Sequence, residues 1–355
     1  MRPASLLVLL LGLFNLNHSV AVAEPSDVRF VVGGLMPEEG GDWKRADSPL
    51  SNPFGIDFDS QGHMYIVELG GGRVHRLDTS GNLTRIAGDG SKAYSGDGGP
   101  ATDATFNGMH NCAVTGDDQL LIADSWNHCV RRIDLDSGMI DTIAGTGKEG
   151  FSGDGGPATD ATFNFVMCIS LSHDKQTLHI TDLKNLRVRN VDLRSGTIAT
   201  VAGNCKKGVP DDFSQATKSP LVDPRAAASD AKGNLYVLER GGNALRVVRP
   251  DGSIHTVAGT GQKGHHDGPA RQAQFGSPKH LCADPSGNVY IADDVNGAIR
   301  KFDPQTSQVT TVLGRGVGHA KLRLSHPHGV CYHDGVLYVV DSGNSRILSV
   351  HGIDP

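Results

Sequence analysis

Three side chains that could bind a metal ion or an anion begin apolar stretches in widely separated parts of the chain. His110, Arg225 and His328 each follow a loop and lead into a short run of small or apolar residues. Two converging imidazoles can hold Zn²⁺, which usually takes three or four protein ligands. Arginine stays protonated, so Arg225 is excluded as a metal ligand and is suited to a carboxylate or a phosphate. A fold that brings these residues together would create a site for either chemistry.

Four further residues could complete such a site. Lys279 begins the corresponding stretch of another copy of the pattern, His280 follows it, Asp341 ends a strand, and Trp126 stands in a loop. In the metal hypothesis, His280 or Asp341 supplies the third ligand beside the two histidines above. In the anion hypothesis, Arg225 and Lys279 form a positive mouth, and Trp126 stacks on a sugar ring or a peptide. The structural alternative is that the histidines line a wet channel mouth and the tryptophan packs within its loop.

A second set of candidates is a series of acids that recur along the chain. Each stands at the end of the second strand of a repeated four-stranded unit. A ring of carboxylates could bind cations. A structural role explains the series better, because a strand-end carboxylate accepts hydrogen bonds from backbone N–H groups of the next turn, assisted by an asparagine that follows in five copies. A binding site, by contrast, needs asymmetry. The acids are Glu68, Asp124, Asp182, Glu239, Asp293 and Asp341, and the asparagines are Asn127, Asn185, Asn243, Asn296 and Asn344.

The elements that must position these residues recur along the chain. Strands that end in a glycine signal, such as Thr142–Gly145 and Thr256–Gly259, place that glycine at positions 34, 88, 145, 203, 259 and 314. The spacing is therefore 54 to 58 residues, which lies outside the helical solenoids and suits four strands with loops. Each unit reads as an inner strand, a glycine-containing turn, a strand that ends in an acid, and two further strands. One unit cannot bury both of its faces alone, so the copies must stack on one another.

The two ends of the chain complete each other. The sixth copy stops after its third strand, Arg346–Val350, whereas Asp27–Val32 reads as a fourth strand that lacks the first three. Closure removes unpaired sheet faces and edges. The sequence therefore predicts an all-β, six-bladed β-propeller over residues 24–355, in which the N-terminal strand completes the last blade.

The repeats resemble NHL repeats. The resemblance rests on motifs such as YIADDVNGAIRK at residues 290–301 and SGDGGPATDATF at residues 95–106, and it covers residues 27–350. NHL propellers are mostly six-bladed. The resemblance thus implies the same fold. It also implies a role in binding rather than one particular reaction.

The chain also has a more distant similarity to peptidyl-hydroxyglycine α-amidating lyase, a related six-bladed propeller. In that family, three histidines from Pro-His motifs at the starts of inner strands hold zinc. Here Pro327-His328-Gly329 matches the motif, whereas His110 follows a methionine instead of a proline. At the third position the sequence is Pro224-Arg225, with arginine in place of histidine. The resemblance therefore implies an incomplete copy of the zinc site.

Composition and charge restrict the class of protein. With a net charge of −6 over 355 residues, the chain lacks the excess of positive charge that is typical of proteins that bind nucleic acid. No stretch reaches the roughly 20 apolar residues that a membrane-spanning helix needs. Residues 1–23 read as a signal peptide, since Arg2 precedes the apolar run Leu6–Phe14 and Ala21-Val22-Ala23 is typical of a cleavage site. We therefore expect an exported monomer, periplasmic or extracellular, in which some of the six cysteines could pair.

Two functional hypotheses follow. The first is a non-catalytic binding propeller that uses its top face, where the inner strands begin, for a peptide, glycan or protein partner. The second is a metal-dependent lyase or hydrolase with a metal at the channel mouth and Arg225 as the clamp for an anionic substrate. Its ion would be Zn²⁺ or Ca²⁺. Gluconolactonase-type propellers hold calcium in the channel, and Asn111 of this chain would be a ligand in such a site. The first is favoured because no Gly-x-Ser-x-Gly, HExxH or Walker motif is present, so no catalytic residue or cofactor is assigned.

Overall fold

The structure is a computed structural model that describes residues 27–37, 43–45 and 50–353. Within these residues the chain forms six antiparallel sheets of four or five strands, arranged as blades around a central channel, and one separate two-stranded sheet. The predicted all-β, six-bladed propeller is therefore confirmed. The predicted signal peptide, residues 1–23, lies outside the described residues. In the described part of the chain, no helix is long and apolar enough to cross a membrane.

Each blade has four main strands, which run outwards from the channel in chain order. Blade 1 contains Pro53–Phe58, Met64–Glu68, Val74–Leu77 and Leu83–Ala87; blade 2 contains Met109–Val114, Gln119–Asp124, Cys129–Asp134 and Met139–Ala144; blade 3 contains Val166–Leu171, Thr177–Asp182, Arg187–Asp192 and Ile198–Ala202. Blade 4 contains Pro224–Ser229, Leu235–Glu239, Ala244–Val248 and Ser253–Ala258; blade 5 contains His280–Ala283, Val289–Asp293, Ala298–Asp303 and Gln308–Gly314; blade 6 contains Pro327–His333, Val336–Asp341, Arg346–His351 and the N-terminal Asp27–Gly33.

The remaining elements are short. Two-residue strands extend the outer edges of blades 2, 4 and 5, and Leu35–Pro37 pairs with Trp43–Arg45 in a separate hairpin. One-turn 3₁₀ helices occupy loops between strands and between blades. The two-residue strands are Gly99–Pro100, Ser214–Gln215 and Gly268–Pro269, and the 3₁₀ helices are Ala101–Asp103, Ser125–Asn127, Ala158–Asp160, Leu183–Asn185, Ala216–Lys218, Ala270–Gln272 and Ser342–Asn344.

The ring closes through the last blade. The N-terminal strand pairs antiparallel with the third strand of blade 6, with Asp27 opposite His351 and Gly33 opposite Arg346. The inner strands of blades 6 and 1 also contact each other, as do those of every other adjacent pair. The predicted completion of the last blade by the N-terminal strand is thus confirmed, and the sheet faces that an open ring would expose are covered.

The core lies between the blades, where Val, Ile, Leu and Ala side chains of one sheet pack on the next. A phenylalanine precedes the inner strand of three blades and is fully buried in this interface, with an arginine over its ring. These phenylalanines are Phe106, Phe163 and Phe275, and the arginines above them are Arg131, Arg189 and Arg300. The core is therefore apolar, with cations at its top edge, close to the ends of the second strands.

Gly33, at the end of the N-terminal strand, offers a test of closure. Its φ is +127°, and an added Cβ would overlap Ser345 O and Arg346 Cα in the third strand of blade 6. We expect Gly33→Ala to lower the free energy of unfolding by about 2–4 kcal/mol, because both the backbone conformation and the close contact exclude a side chain. Urea denaturation followed by circular dichroism measures this loss.

Gly81→Ala is the matched control. Gly81 has a φ of +87°, and an added Cβ would meet nothing within 4 Å. Its expected loss is about 1 kcal/mol, which is the cost of the left-handed backbone alone. Equal losses for the two variants would contradict a tight junction between the chain ends.

Candidate functional site

The channel mouth is built from the residues that begin the inner strands, and His328 lies at its centre. The imidazole of His328 stacks on Phe54 with ring centroids 3.8 Å apart. The rings of His110 and His280 lie 6.0 and 6.5 Å from it, again between centroids. Arg225 Nη2 lies 3.2 Å from His328 Nε2. The predicted convergence of these four site residues is therefore present in the structure, although they come from blades 2, 4, 5 and 6.

The hydrogen bonds of the three imidazoles assign their tautomers. His110 Nδ1 donates to Gly108 O at 2.8 Å, and His328 Nδ1 donates to Phe54 O at 3.3 Å, so both rings keep an Nε2 lone pair. The lone pair of His328 accepts from Arg225. His280 is reversed, because its Nδ1 accepts the Val330 N–H at 3.3 Å and its proton must be on Nε2. That Nε2–H is buried and has no hydrogen-bond partner among the described residues.

Arg225 is a buried cation without a carboxylate partner. The residue is 6% exposed, and within the described residues its guanidinium has no ion pair. Nη2 donates to His328, while Nε is buried and has no hydrogen-bond partner in the described part of the chain. Burial lowers the pKa of Arg225 to about 10, and the positive charge of Arg240 acts in the same direction. The group remains protonated at neutral pH, and the carboxylates of Asp223 and Asp294 act on its charge without contacting it among the described residues.

Lys279, the second predicted cation of the mouth, is partly neutralised. Its Nζ lies 3.4 Å from Asp294 Oδ2, and the other carboxylate oxygen of Asp294 lies 2.9 Å from His326 Nδ1. Burial and then the charge of Arg225 lower the pKa of Lys279. The unpaired positive charge of the site therefore lies on Arg225 more than on Lys279.

The three imidazoles are neutral. Burial lowers the pKa of His110 to about 3 and that of His280 to about 4, and the charge of Arg225 adds to both effects. The pKa of His328 also lies well below its ordinary value, because of burial first and Arg225 second. Burial disfavours the charged form of each imidazole, and repulsion by Arg225 adds to this effect.

Trp126 lies at the rim of the same mouth, next to His110. Its indole is 40% exposed, and its ring centroid lies 6.0 Å from that of His110. A Cβ on Gly108 would overlap the indole, so the glycine is required where the tryptophan packs. Phe165 completes this aromatic group at 5.5 Å from His110 and 6.3 Å from Trp126. Phe165 was not among the predicted site residues, although other copies fill its loop position with Asn, Gly, Asp, Ser or His, and a phenylalanine there was a signal.

The metal hypothesis depends on a third ligand near His110 and His328. The carboxylate of Asp341 is already engaged, since it pairs with Arg346 at 2.7 Å. His280 is in the cluster, but its Nδ1 is taken by a backbone N–H. Among the described residues, no group of three His, Cys, Asp or Glu side chains is arranged to share an ion. The assignment of metal ligands stays a prediction.

The strand-end acids bind backbone, as the structural interpretation predicts, but with different partners. Each accepts the N–H of a residue 16 to 18 positions earlier, in the loop before the inner strand and not in the next turn. Four of the five asparagines donate to the acid, whereas Asn243 accepts the N–H of Ser277 instead. Arginines that were not predicted as partners also pair with five of these acids.

Comparison with known proteins agrees with the fold. A model of the NHL repeat matches residues 324–348. Human NHL repeat-containing protein 2 is 26% identical over 288 residues, which cover 69% of this chain and 39% of that protein. Protein SUPPRESSOR OF QUENCHING 1 of Arabidopsis thaliana is 28% identical over 252 residues, covering 64% of this chain and 23% of that protein. The chain thus spans less than half the length of these relatives.

Solved structures show the same architecture at low identity. An auxiliary nutrient binding protein from Bacteroides thetaiotaomicron has a TM-score of 0.64 at 14% identity, covering 91% of this chain and 75% of its own. A gluconolactonase from Xanthomonas campestris has a TM-score of 0.60 at 12% identity, with 94% and 93% covered. Blades, closure and site thus define a six-bladed β-propeller with a polar channel mouth. Residues 324–348 thus match the NHL repeat, and the chain is similar to NHL repeat-containing proteins over most of its length.

The neutral histidines make stability depend on pH. The folded pKa of His280 lies near 4, below the unfolded value of about 6.5, so between these values the unfolded chain binds a proton that the folded chain does not. We therefore expect the free energy of unfolding to fall on acidification from pH 6.5 to pH 4.5. His280→Gln should reduce the slope by up to about 1.4 kcal/mol per pH unit. Urea denaturation at several pH values measures it, and an unchanged slope would show that His280 is protonated in the fold.

Proposed function

We propose that the protein is a non-catalytic binding module that takes an anionic group at the channel mouth on its top face. The supporting observation is Arg225, a buried guanidinium with no carboxylate partner among the described residues and a free Nε–H. A buried charge without a counter-ion costs several kcal/mol, by order of magnitude. A ligand anion that enters the mouth would offset this cost, and the gain would appear as affinity.

A carboxylate or a phosphate fits the donors of the mouth. The free Nε–H of Arg225 and the Nε2–H of His280 are both buried, and each lacks a hydrogen-bond partner in the described residues. Arginine presents its donors in a planar fork that matches these anions. The neutral imidazole of His280 thus adds a donor without a competing charge. The ligand would be the acidic group of a peptide, a glycan or a protein, and a propeller of the same fold is described as a nutrient binding protein.

The second candidate is a metal-dependent lyase or hydrolase, which the free Nε2 lone pair of His110 favours. His328 would be the other ligand, but its Nε2 accepts from Arg225. Arg225 would have to release this bond before a metal could bind. Metal analysis of the purified protein tests this candidate: stoichiometric Zn²⁺ that is lost in His328→Ala would support it over simple anion binding.

Arg225→Met tests the anion site. The wild-type protein should be stabilised by inorganic phosphate or by acetate, with a gain of about 2.7 kcal/mol at 100 times the dissociation constant. In Arg225→Met the gain should vanish, while the free energy of unfolding without anion should stay equal or rise, because an unpaired buried charge is removed. Thermal denaturation and isothermal titration calorimetry measure both quantities.

Arg132→Gln is the matched control, since Arg132 forms an ion pair with Asp141 on the surface, where its side chain is 43% exposed. This variant should respond to both anions like the wild type. Equal anion responses in all three proteins would contradict a site at Arg225. A large loss of stability in Arg225→Met without anion would instead indicate a structural role.

We further propose that the protein acts outside the cytoplasm, on the grounds of residues 1–23. The support is the sequence pattern of a charged start, an apolar run and a small-residue cleavage signal. Intact-mass measurement after expression of the full chain in a secreting bacterial host tests it. A mature chain that begins at Glu24 is expected, and retention of residues 1–23 in the cytoplasmic fraction would contradict export.

A further inference from the structure

We infer that the ligand of the channel mouth is an organic acid that carries an aromatic ring several bonds away from its carboxylate. The inference rests on the proposed anion site and adds the part of the ligand that the anion site does not contact. It is drawn from the arrangement of Trp126, Phe165 and His110 on one side of the mouth and Arg225 on the other.

The mouth has two chemically different halves. Phe54, His110, Trp126 and Phe165 come from blades 1 to 3 or their loops, and their rings contact one another edge to face or tilted. Blades 4 and 5 supply the cations instead: Arg225, Arg240 and Lys279. A ligand that matches both halves needs an anionic end and an apolar, π-rich end.

Phe165 occupies a backbone position that disfavours its side chain. In every blade a residue just before the inner strand, one position before it in five blades and three positions before it in blade 5, has a positive φ between 49° and 75°. Phe165 has the largest of these values, 75°, and its N–H is held by His128 Nδ1 at 3.0 Å. The other residues at this position are Asn52, Gly108, Asp223, Ser277 and His326. A bulky residue with positive φ is uncommon, and such strain is typical of binding sites.

Trp126 also departs from the other copies. The residue at its position, two after the strand-end acid, is glycine in three blades, lysine in one and valine in another. The indole packs over Gly108, where no side chain could be accommodated, and the rest of the ring faces solvent. Two aromatic residues in positions that the fold fills with small or polar residues thus lie 6.3 Å apart between centroids, both beside His110. Packing of the blades does not require either ring here.

The polar groups favour an aromatic ring over a sugar ring. A sugar presents several hydroxyl groups, and each needs a partner when it is buried. Around the aromatic half, Gly108 O binds His110 Nδ1 and His128 Nδ1 binds the Phe165 N–H, so these groups are satisfied, and the Nε2 lone pair of His110 is left as an acceptor. The buried donors of the mouth that lack a partner among the described residues, Arg225 Nε and His280 Nε2, belong to the anionic half.

The contacts also require a spacer. From Arg225 the path to Trp126 runs through His328, hydrogen-bonded at 3.2 Å, and then through His110, whose ring centroid lies 6.0 Å from each neighbour. Two imidazole rings therefore separate the guanidinium from the indole. A ring attached directly to a carboxylate would not reach both, whereas a chain of several methylene groups would.

A series of acids tests the inference by isothermal titration calorimetry on the full chain. The probes are benzoate, 3-phenylpropanoate and 5-phenylpentanoate, with hexanoate, 5-cyclohexylpentanoate and glucuronate as comparisons. We expect affinity to rise along the phenyl series, and 5-phenylpentanoate to bind at least about 10-fold more tightly than hexanoate. Trp126→Val, which copies the residue of blade 5, and Phe165→Asn, which copies blade 1, should each remove most of this ratio.

Phe213→Asn is the matched control for Phe165→Asn. Phe213 also has a positive φ, 65°, but it is 76% exposed and its ring contacts His255 in blade 4. Both variants should be as stable as the wild type or more stable, because asparagine tolerates this backbone better. Phe213→Asn should keep the preference for 5-phenylpentanoate.

The possible outcomes separate the inference from the proposed function. If hexanoate and 5-cyclohexylpentanoate bind as tightly as 5-phenylpentanoate, the inference is overturned while the anion site stands. Tighter binding of glucuronate, or of benzoate, would overturn it in the same way. If no acid binds and Arg225→Met behaves like the wild type, the anion site itself is wrong. If Trp126→Val and Phe165→Asn keep the full preference for 5-phenylpentanoate over hexanoate, the inference of an aromatic ligand is likewise overturned.

Discussion

The top face of the propeller depends on a carboxylate buried at the end of the second strand of each blade. In five blades an arginine of the third strand pairs with it: Arg131 with Asp124, Arg189 with Asp182, Arg246 with Glu239, Arg300 with Asp293, and Arg346 with Asp341. In blade 1 the corresponding partner of Glu68 is His75, at 3.2 Å. Each carboxylate also accepts a backbone N–H from the loop before the inner strand, so it fixes the loop that leads to the mouth. Asp124, for example, holds the N–H of Asn107, next to Gly108, on which the indole of Trp126 packs.

Arg225 is conspicuous against this background. Six arginines are buried within the described residues, and five of them take part in the pairs described above. Arg225 alone of these six has an imidazole as its partner. Breaking a buried ion pair leaves a costly charge, so the paired arginines hold the scaffold, whereas an unpaired one is expected where a ligand supplies the counter-charge. The structural cations and the binding cation are thus distinguished by their partners and not by their burial.

The fold was predictable because the sequence contains six copies of the same four-stranded unit. The glycine spacing, the strand-end acids and the complementary chain ends each constrain the architecture, and they agree with one another. The convergence of His110, Arg225 and His328 followed from the repeat register alone. The partners of these residues did not follow, because a tautomer depends on which carbonyl or N–H lies nearby, and Arg225 could be recognised as unpaired only once every neighbouring acid was located. Asp341 was grouped with the site for its type, yet its carboxylate is used by Arg346. Phe165 was missed because its loop conformation, with positive φ, cannot be deduced from the residue itself.

The site arises where single copies depart from a repeated rule. Repetition gives every blade the same second-strand acid, the same loop of positive φ and the same exit of the inner strand, and these shared features hold the ring together. A ligand requires the opposite, namely different side chains at equivalent places. His110, Arg225 and His328 differ at the first position of the inner strand, Phe165 differs in the loop, and Trp126 differs after the acid. Because each departure stands on a shared backbone frame, it changes the chemistry of the mouth without changing the fold. Burial first and the positive charge of Arg225 second lower the pKa of the neighbouring His328, so the charge that attracts an anion lies on Arg225 and not on this imidazole.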